Sequence, residues 1–72
     1  MTDFDPEYVF SHHSATPEKL ASYEAVHGAA KSFAQVILAR VPDSPDRDQV
    51  LHLLREASML ACSAISLDGK LK

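Results

Sequence analysis

The hexapeptide Val41-Pro42-Asp43-Ser44-Pro45-Asp46 decides what the rest of this chain can become. Pro42 has no N–H, and its ring collides with the carbonyl four residues back, so a helix arriving from the N-terminal side stops here. It also disfavours the α region for Val41. Ser44 offers a side-chain oxygen to the free N–H groups of a new helix, and Pro45 takes the first helical position, where no N–H is needed. One segment both ends a helix and begins the next. The spacing predicts two long helices folded into a hairpin at residues 41–46.

Periodicity on either side agrees. Upstream, Thr16-Pro17-Glu18 reads as N-cap, first helical residue and acidic complement to the helix dipole. Leu20, Tyr23, His27, Ala30, Ala34, Ile37 and Val41 then recur at steps of three and four, marking one helical face. Val26, Phe33, Val36 and Leu38 widen it. This helix should run about 24 residues, or roughly 36 Å. Gly28 in its middle costs about 1 kcal/mol relative to Ala. Either another group approaches the backbone closely there, or the helix tolerates the residue.

Downstream, Asp46 and Asp48 sit favourably at the positive end of the second helix. Val50, Leu54, Ala57, Ala61 and Ala64 form one face, while Leu51, Leu53, Met59, Leu60, Ile65 and Leu67 occupy others. Residues 57–67 carry no charge, whereas an exposed helix keeps a polar face. One partner helix cannot cover so much apolar surface, so burial on at least two sides is expected. Asp68-Gly69 ends the helix, with Gly69 suited to the left-handed C′ position.

The first fifteen residues differ. They hold three of the five aromatics, Phe4, Tyr8 and Phe10, followed by Ser11-His12-His13-Ser14. Asp5-Pro6-Glu7 can cap one short helical turn. Disordered tails are poor in aromatics, so this arm is expected to order against the hairpin or a neighbouring subunit. The organisation is thus an arm, 1–15, and an all-α antiparallel hairpin domain, 16–69, that self-associates.

A chain of 72 residues is one small domain. At this size only about 60% of the unfolded surface is buried on folding, and a lone two-helix unit is marginal. A net charge of −3 argues against a DNA binder. No apolar run approaches the roughly 18 residues that span a bilayer. Cys62 is the only cysteine, which rules out an intrachain disulfide and reads as a small buried hydrophobe in an apolar run.

Enzyme chemistry is missing its parts: there is no phosphate-cradling glycine loop, and a bare hairpin offers no enclosed site for a Ser–His pair. No cofactor is expected. The four histidines, at 12, 13, 27 and 52, lack cysteines or carboxylates at ligand spacing, and no metal is expected either. One neighbourhood stands out chemically. Phe10, His12, His13, Tyr23, His27 and Lys31 combine stacking surfaces with groups that can be cationic, and His27 and Lys31 share a helix face. A ligand of purine rings and phosphates wants such a set. The competing reading makes Tyr23 core and the others ordinary surface.

The strings Phe10-Ser11-His12-His13, Thr16-Pro17-Glu18, Tyr23-Glu24-Ala25-Val26-His27, Ala30-Lys31-Ser32-Phe33-Ala34, Val41-Pro42-Asp43-Ser44 and Glu56-Ala57-Ser58-Met59-Leu60-Ala61, in this order, resemble a family. It is that of the phage anti-CBASS and Thoeris anti-defence helical-hairpin proteins, which are cyclic-nucleotide sponges. The resemblance runs over residues 10–69. It implies a homo-oligomer, a hexamer by the family's habit, acting in the host bacterial cytoplasm. Such a protein binds cyclic di- or trinucleotides or cyclic ADP-ribose isomers without cleaving them. It also implies ligand-binding roles for Phe10, His12, His13, Tyr23, His27 and Lys31, with arm side chains on the bases and helix-one cations on the phosphates.

Four positions depart from the family's pattern. His12 stands for the usual stacking Tyr and His27 for the usual Arg or Lys; imidazole can serve both roles, but its charge changes near pH 6.5. Leu60 replaces a common Trp. Leu67 replaces a terminal Arg on which a trinucleotide pocket would rely. The alternative reading is a helical oligomerisation or protein-interaction module with no small-molecule ligand.

Overall fold

A computed structural model describes residues 5–69, and three N-caps lay out its elements. The Asp5 carboxylate accepts from the Glu7 N–H at 3.1 Å and opens α1, Pro6–Val9. Thr16 Oγ1 accepts from the Lys19 N–H at 3.1 Å and opens α2, Pro17–Arg40. Ser44 Oγ accepts from the Arg47 N–H at 3.1 Å and opens α3, Pro45–Ser66. Each pairs an oxygen-bearing cap with a proline that has no N–H to satisfy, and each stands where the sequence places it.

The turn between α2 and α3 is bonded within itself. The Ser44 hydroxyl donates to the Pro42 carbonyl at 2.9 Å while capping α3. Arg47 reaches back, pairing with Asp43 at 3.2 Å and donating to the Val41 carbonyl at 3.4 Å. The reversal is thereby set by four consecutive residues, 41–44, and one guanidinium, and α3 returns antiparallel to α2 along its length.

Packing follows a regular seam. On α2 the side chains withdrawn from solvent are Lys19, Tyr23, Val26, Ala30, Ala34 and Ile37, at steps of three and four. Facing them on α3 are Arg47, Leu51, Leu54, Ser58, Ala61 and Ile65, again at threes and fours. This is the spacing of knobs packed into holes between paired helices. The seam is shallow. Among the described residues only Ile37 and Leu67 are buried outright, at 3% and 5% exposure.

The structure selects among the apolar α3 faces and changes one expectation. The apolar α3 face Val50, Leu54, Ala57, Ala61 and Ala64 is not the seam: Val50, Ala57 and Ala64 lie exposed on its flank. Polar Arg47 and Ser58 take seam positions because one spans the turn and the other is small enough for close approach. The α3 C-terminus also ends one residue earlier than expected. The Asp68 N–H donates to Ile65 and the Gly69 N–H to Ala64, which is a Schellman pair with Asp68 at C′ and Gly69 at C″. Both residues are left-handed, at φ 54° and 72°.

Candidate functional site

Away from the turn, the arm folds back on the hairpin's open end. The Tyr8 hydroxyl donates to the Leu67 carbonyl at 3.0 Å, tying α1 to the close of α3. His13 Nε2 donates to the Tyr8 carbonyl at 2.6 Å, and the two rings meet at 4.4 Å between centroids, tilted by 59°. The Ser11 hydroxyl donates to the Glu7 carbonyl. The described part of the arm, 5–15, is thus held against the hairpin of its own chain, with His13 half-buried as part of that clasp, while Phe4 lies outside the described residues.

A ladder of side chains climbs α2 from there. Lys19 Nζ donates to the Ser66 carbonyl at 3.1 Å and approaches Asp68 Oδ2 at 3.4 Å, setting a cation on the negative end of α3. One turn on, the Tyr23 and Ser66 hydroxyls meet at 2.5 Å. One turn further, His27 Nε2 lies 3.4 Å from Cys62 Sγ. Lys31 follows one more turn along, exposed and on the same flank as His27. Thr16, Glu18, Lys19, Ser22, Ile65 and Asp68 line an open depression beside the foot of this ladder.

The six residues named from sequence therefore divide. Tyr23 and His13 are half-buried and hydrogen-bonded within the chain, Tyr23 across the seam and His13 inside the clasp. His27 and Lys31 are brought together on one exposed flank of α2. Phe10 and His12 are exposed on the arm, Phe10 at 79%. Sequence reasoning passed over Tyr8, Lys19 and the meeting of Cys62 with His27. That last pair has no local signature; it needs the antiparallel register, in which Tyr23 finds Ser66 and, four residues on, His27 finds the residue four earlier. The uncharged neighbours of Cys62 concealed it further. No group of three or more His, Cys, Asp or Glu side chains that could hold a metal ion occurs among the described residues.

The opposite flank has another character. Val26, Ala29, Ala30 and Phe33 of α2 and Leu54, Ala57, Ser58 and Ala61 of α3 line a shallow groove with no charged residue in it. The hairpin is consequently two-faced, with His27, Lys31 and Cys62 on one side and an apolar trough on the other. None of the described helices is long and apolar enough to cross a membrane.

Comparison with known proteins gives one match, and it takes in both the arm and the hairpin. The Acb2/Tad1 hairpin domain matches residues 5–66. No curated protein and no solved structure matches the chain. That match runs from the N-cap of α1 to the last residue of α3, and the chain belongs to the Acb2/Tad1 hairpin family, the anti-CBASS and Thoeris anti-defence sponges.

Proposed function

We propose that this protein is a phage-encoded sponge that binds cyclic nucleotide immune messengers in the host bacterial cytoplasm and holds them without cleaving them. The observation that carries the reading is the pairing of His27 with Lys31 on an exposed flank of α2, in a chain of a sponge family. An imidazole and an ammonium one turn apart suit a phosphodiester, which accepts charge-assisted hydrogen bonds from both. Phe10, His12 and His13 on the arm, 1–15, supply flat rings for purine faces, and Tyr23 braces the seam behind them. The hairpin, 16–69, assembles as a homo-oligomer, a hexamer, with each ligand held between subunits. DNA is not a ligand of a chain with net charge −3.

Sequestration needs no chemical step on the ligand. It needs a bound state stable enough to hold the messenger below the level at which its effector responds, so affinity and protein concentration set the outcome together. Isothermal titration against cyclic dinucleotides, cyclic trinucleotides and cyclic ADP-ribose isomers, at pH 6 and pH 7.5, tests this. Saturable binding of at least one messenger, with the ligand recovered intact, is the expected result. Silence across the whole panel at both pH values would leave a helical interaction module in its place.

A further inference from the structure

One ring nitrogen of His27 is already engaged. Its Nε2 lies 3.4 Å from Cys62 Sγ across the two helices, one turn along from the Tyr23–Ser66 pair. A neutral imidazole carries a single N–H, and the bond made by one nitrogen decides whether the other is donor or acceptor. The thiol therefore governs what His27 offers to anything that docks on the flank it shares with Lys31.

Acceptor strength sets the direction of the bond. An unprotonated imidazole nitrogen is basic enough to take up a proton near pH 6.5, whereas a thiol sulfur is a weak acceptor. The pairing that uses the better acceptor has the Cys62 S–H donating to Nε2. The ring proton then stands on Nδ1, the nitrogen left for a ligand. Charges nearby do not compete for it. Glu24 and Lys31 flank His27 on α2 with opposite signs, and residues 57–67 of α3 carry no charge. Glu56 and Arg55 stand six and seven residues before Cys62, about 9–10 Å along the helix axis. The arm, with Tyr8 and His13, closes over Leu67 on the far side of the Tyr23–Ser66 pair.

We infer that Cys62 is a positioning residue whose thiol holds the His27 proton on Nδ1, making the uncharged imidazole a ready donor to a phosphodiester. The inference rests on the sponge reading for its ligand, but the place of the proton is a property of the free protein. A histidine with both nitrogens unengaged divides its proton between them, and only one tautomer presents the N–H where it is wanted. Apparent affinity scales with the fraction of the competent form, so fixing the tautomer removes that loss. Capture then does not wait for the ring to become charged.

The test compares the full-length chain with C62A and C62S. Alanine is a good helix former and deletes the thiol proton. Serine restores a donor, and the exposed His27 ring can follow its shorter bond. Nitrogen-15 NMR of the assigned His27 ring at pH 8, without ligand, is expected to show Nδ1 protonated and Nε2 bare in the parent and in C62S. In C62A the proton should be shared between the two nitrogens. Calorimetry with cyclic di-GMP, cyclic tri-AMP and cyclic ADP-ribose then reads capture. For a probe that binds the parent, C62A is expected to lose about two- to fivefold in affinity at pH 8, and C62S to keep it. At pH 5.5, where an imidazolium carries a proton on each nitrogen, the three proteins should agree. A parent ring protonated on Nε2 at pH 8 overturns the inference, as does a C62A spectrum identical to the parent's. So does a C62A loss of equal size at both pH values, the mark of a packing defect. Silence of every probe with the parent counts against the sponge reading, while the spectra still decide where the proton sits.

Discussion

The Tyr8 hydroxyl and the Leu67 carbonyl meet at 3.0 Å across 59 residues of sequence, closing the arm over the end of α3. Leu67 is itself buried, so its carbonyl has little water to turn to if the phenol leaves. Tyr8→Phe keeps the ring against His13 and removes only the donor. The loss is expected to be about 1 kcal/mol. For a domain this small that lowers the melting temperature by about 4–8 °C. Amide exchange in residues 6–13 should accelerate along with it; unchanged exchange there would mean that the arm is held by something other than this bond.

His27→Ala and Lys31→Ala are expected to weaken messenger capture by about tenfold or more each, since each deletes a donor that can carry charge. Neither side chain lies in the apolar groove, so both variants should sediment as the parent does. Titration calorimetry and sedimentation on the same samples separate the two effects. Full-strength binding by both variants would remove these residues from the ligand site.

Gly28 has no neighbour within 4 Å of where a Cβ would stand, so within the chain it is tolerated rather than needed. Gly28→Ala is expected to stabilise the hairpin by about 1 kcal/mol, the helix-propensity difference. A rise of about 4–8 °C in melting temperature follows. A fall instead would reveal that a second copy or a ligand approaches this backbone in the assembled protein.

Asp68 and Gly69 should respond with opposite signs, although they are adjacent. Gly69 sits at φ 72°, where a Cβ meets the carbonyl, and Gly69→Ala is expected to cost about 1–2 kcal/mol. Asp68 sits at φ 54° with a side chain that strains the same region, so Asp68→Gly should be neutral or stabilising. Its carboxylate is more than half exposed, so the 3.4 Å pairing with Lys19 adds little. Urea midpoints for the two variants read the contrast directly.

Helix boundaries were legible because their signals are local. Thr16-Pro17 and Ser44-Pro45 carry the cap and the first helical residue side by side, and no distant contact competes with them. The α3 C-terminus was read one residue late because glycine's freedom to take positive φ does not say whether a neighbouring Asp takes it first. Which of the apolar α3 faces meets α2 was not legible, for a different reason. Hydrophobicity identifies Val50, Leu54, Ala57, Ala61 and Ala64 as apolar, but an apolar flank and an apolar seam look alike in one chain. Close approach then favoured Ser58 over larger neighbours on the seam. Of the candidate site, the neighbourhood of His27 and Lys31 could be read from a four-residue step. The clasp of Tyr8 on Leu67, the Lys19 cap and the contact of Cys62 with His27 could not, since each depends on register between segments far apart in sequence.

The two flanks of the hairpin share helices but not side chains. Substitutions in the His27 and Lys31 row leave Ala29, Phe33 and Ala57 untouched, because on each helix the two sets fall on opposite sides of the seam. If that row is the ligand site proposed above, recognition can drift while the scaffold stays fixed. A chain of 72 residues has room for that separation only because its helices lie side by side as a single sheet-like layer, each with two outward flanks. The same thinness that leaves the protein short of a core leaves it open to change.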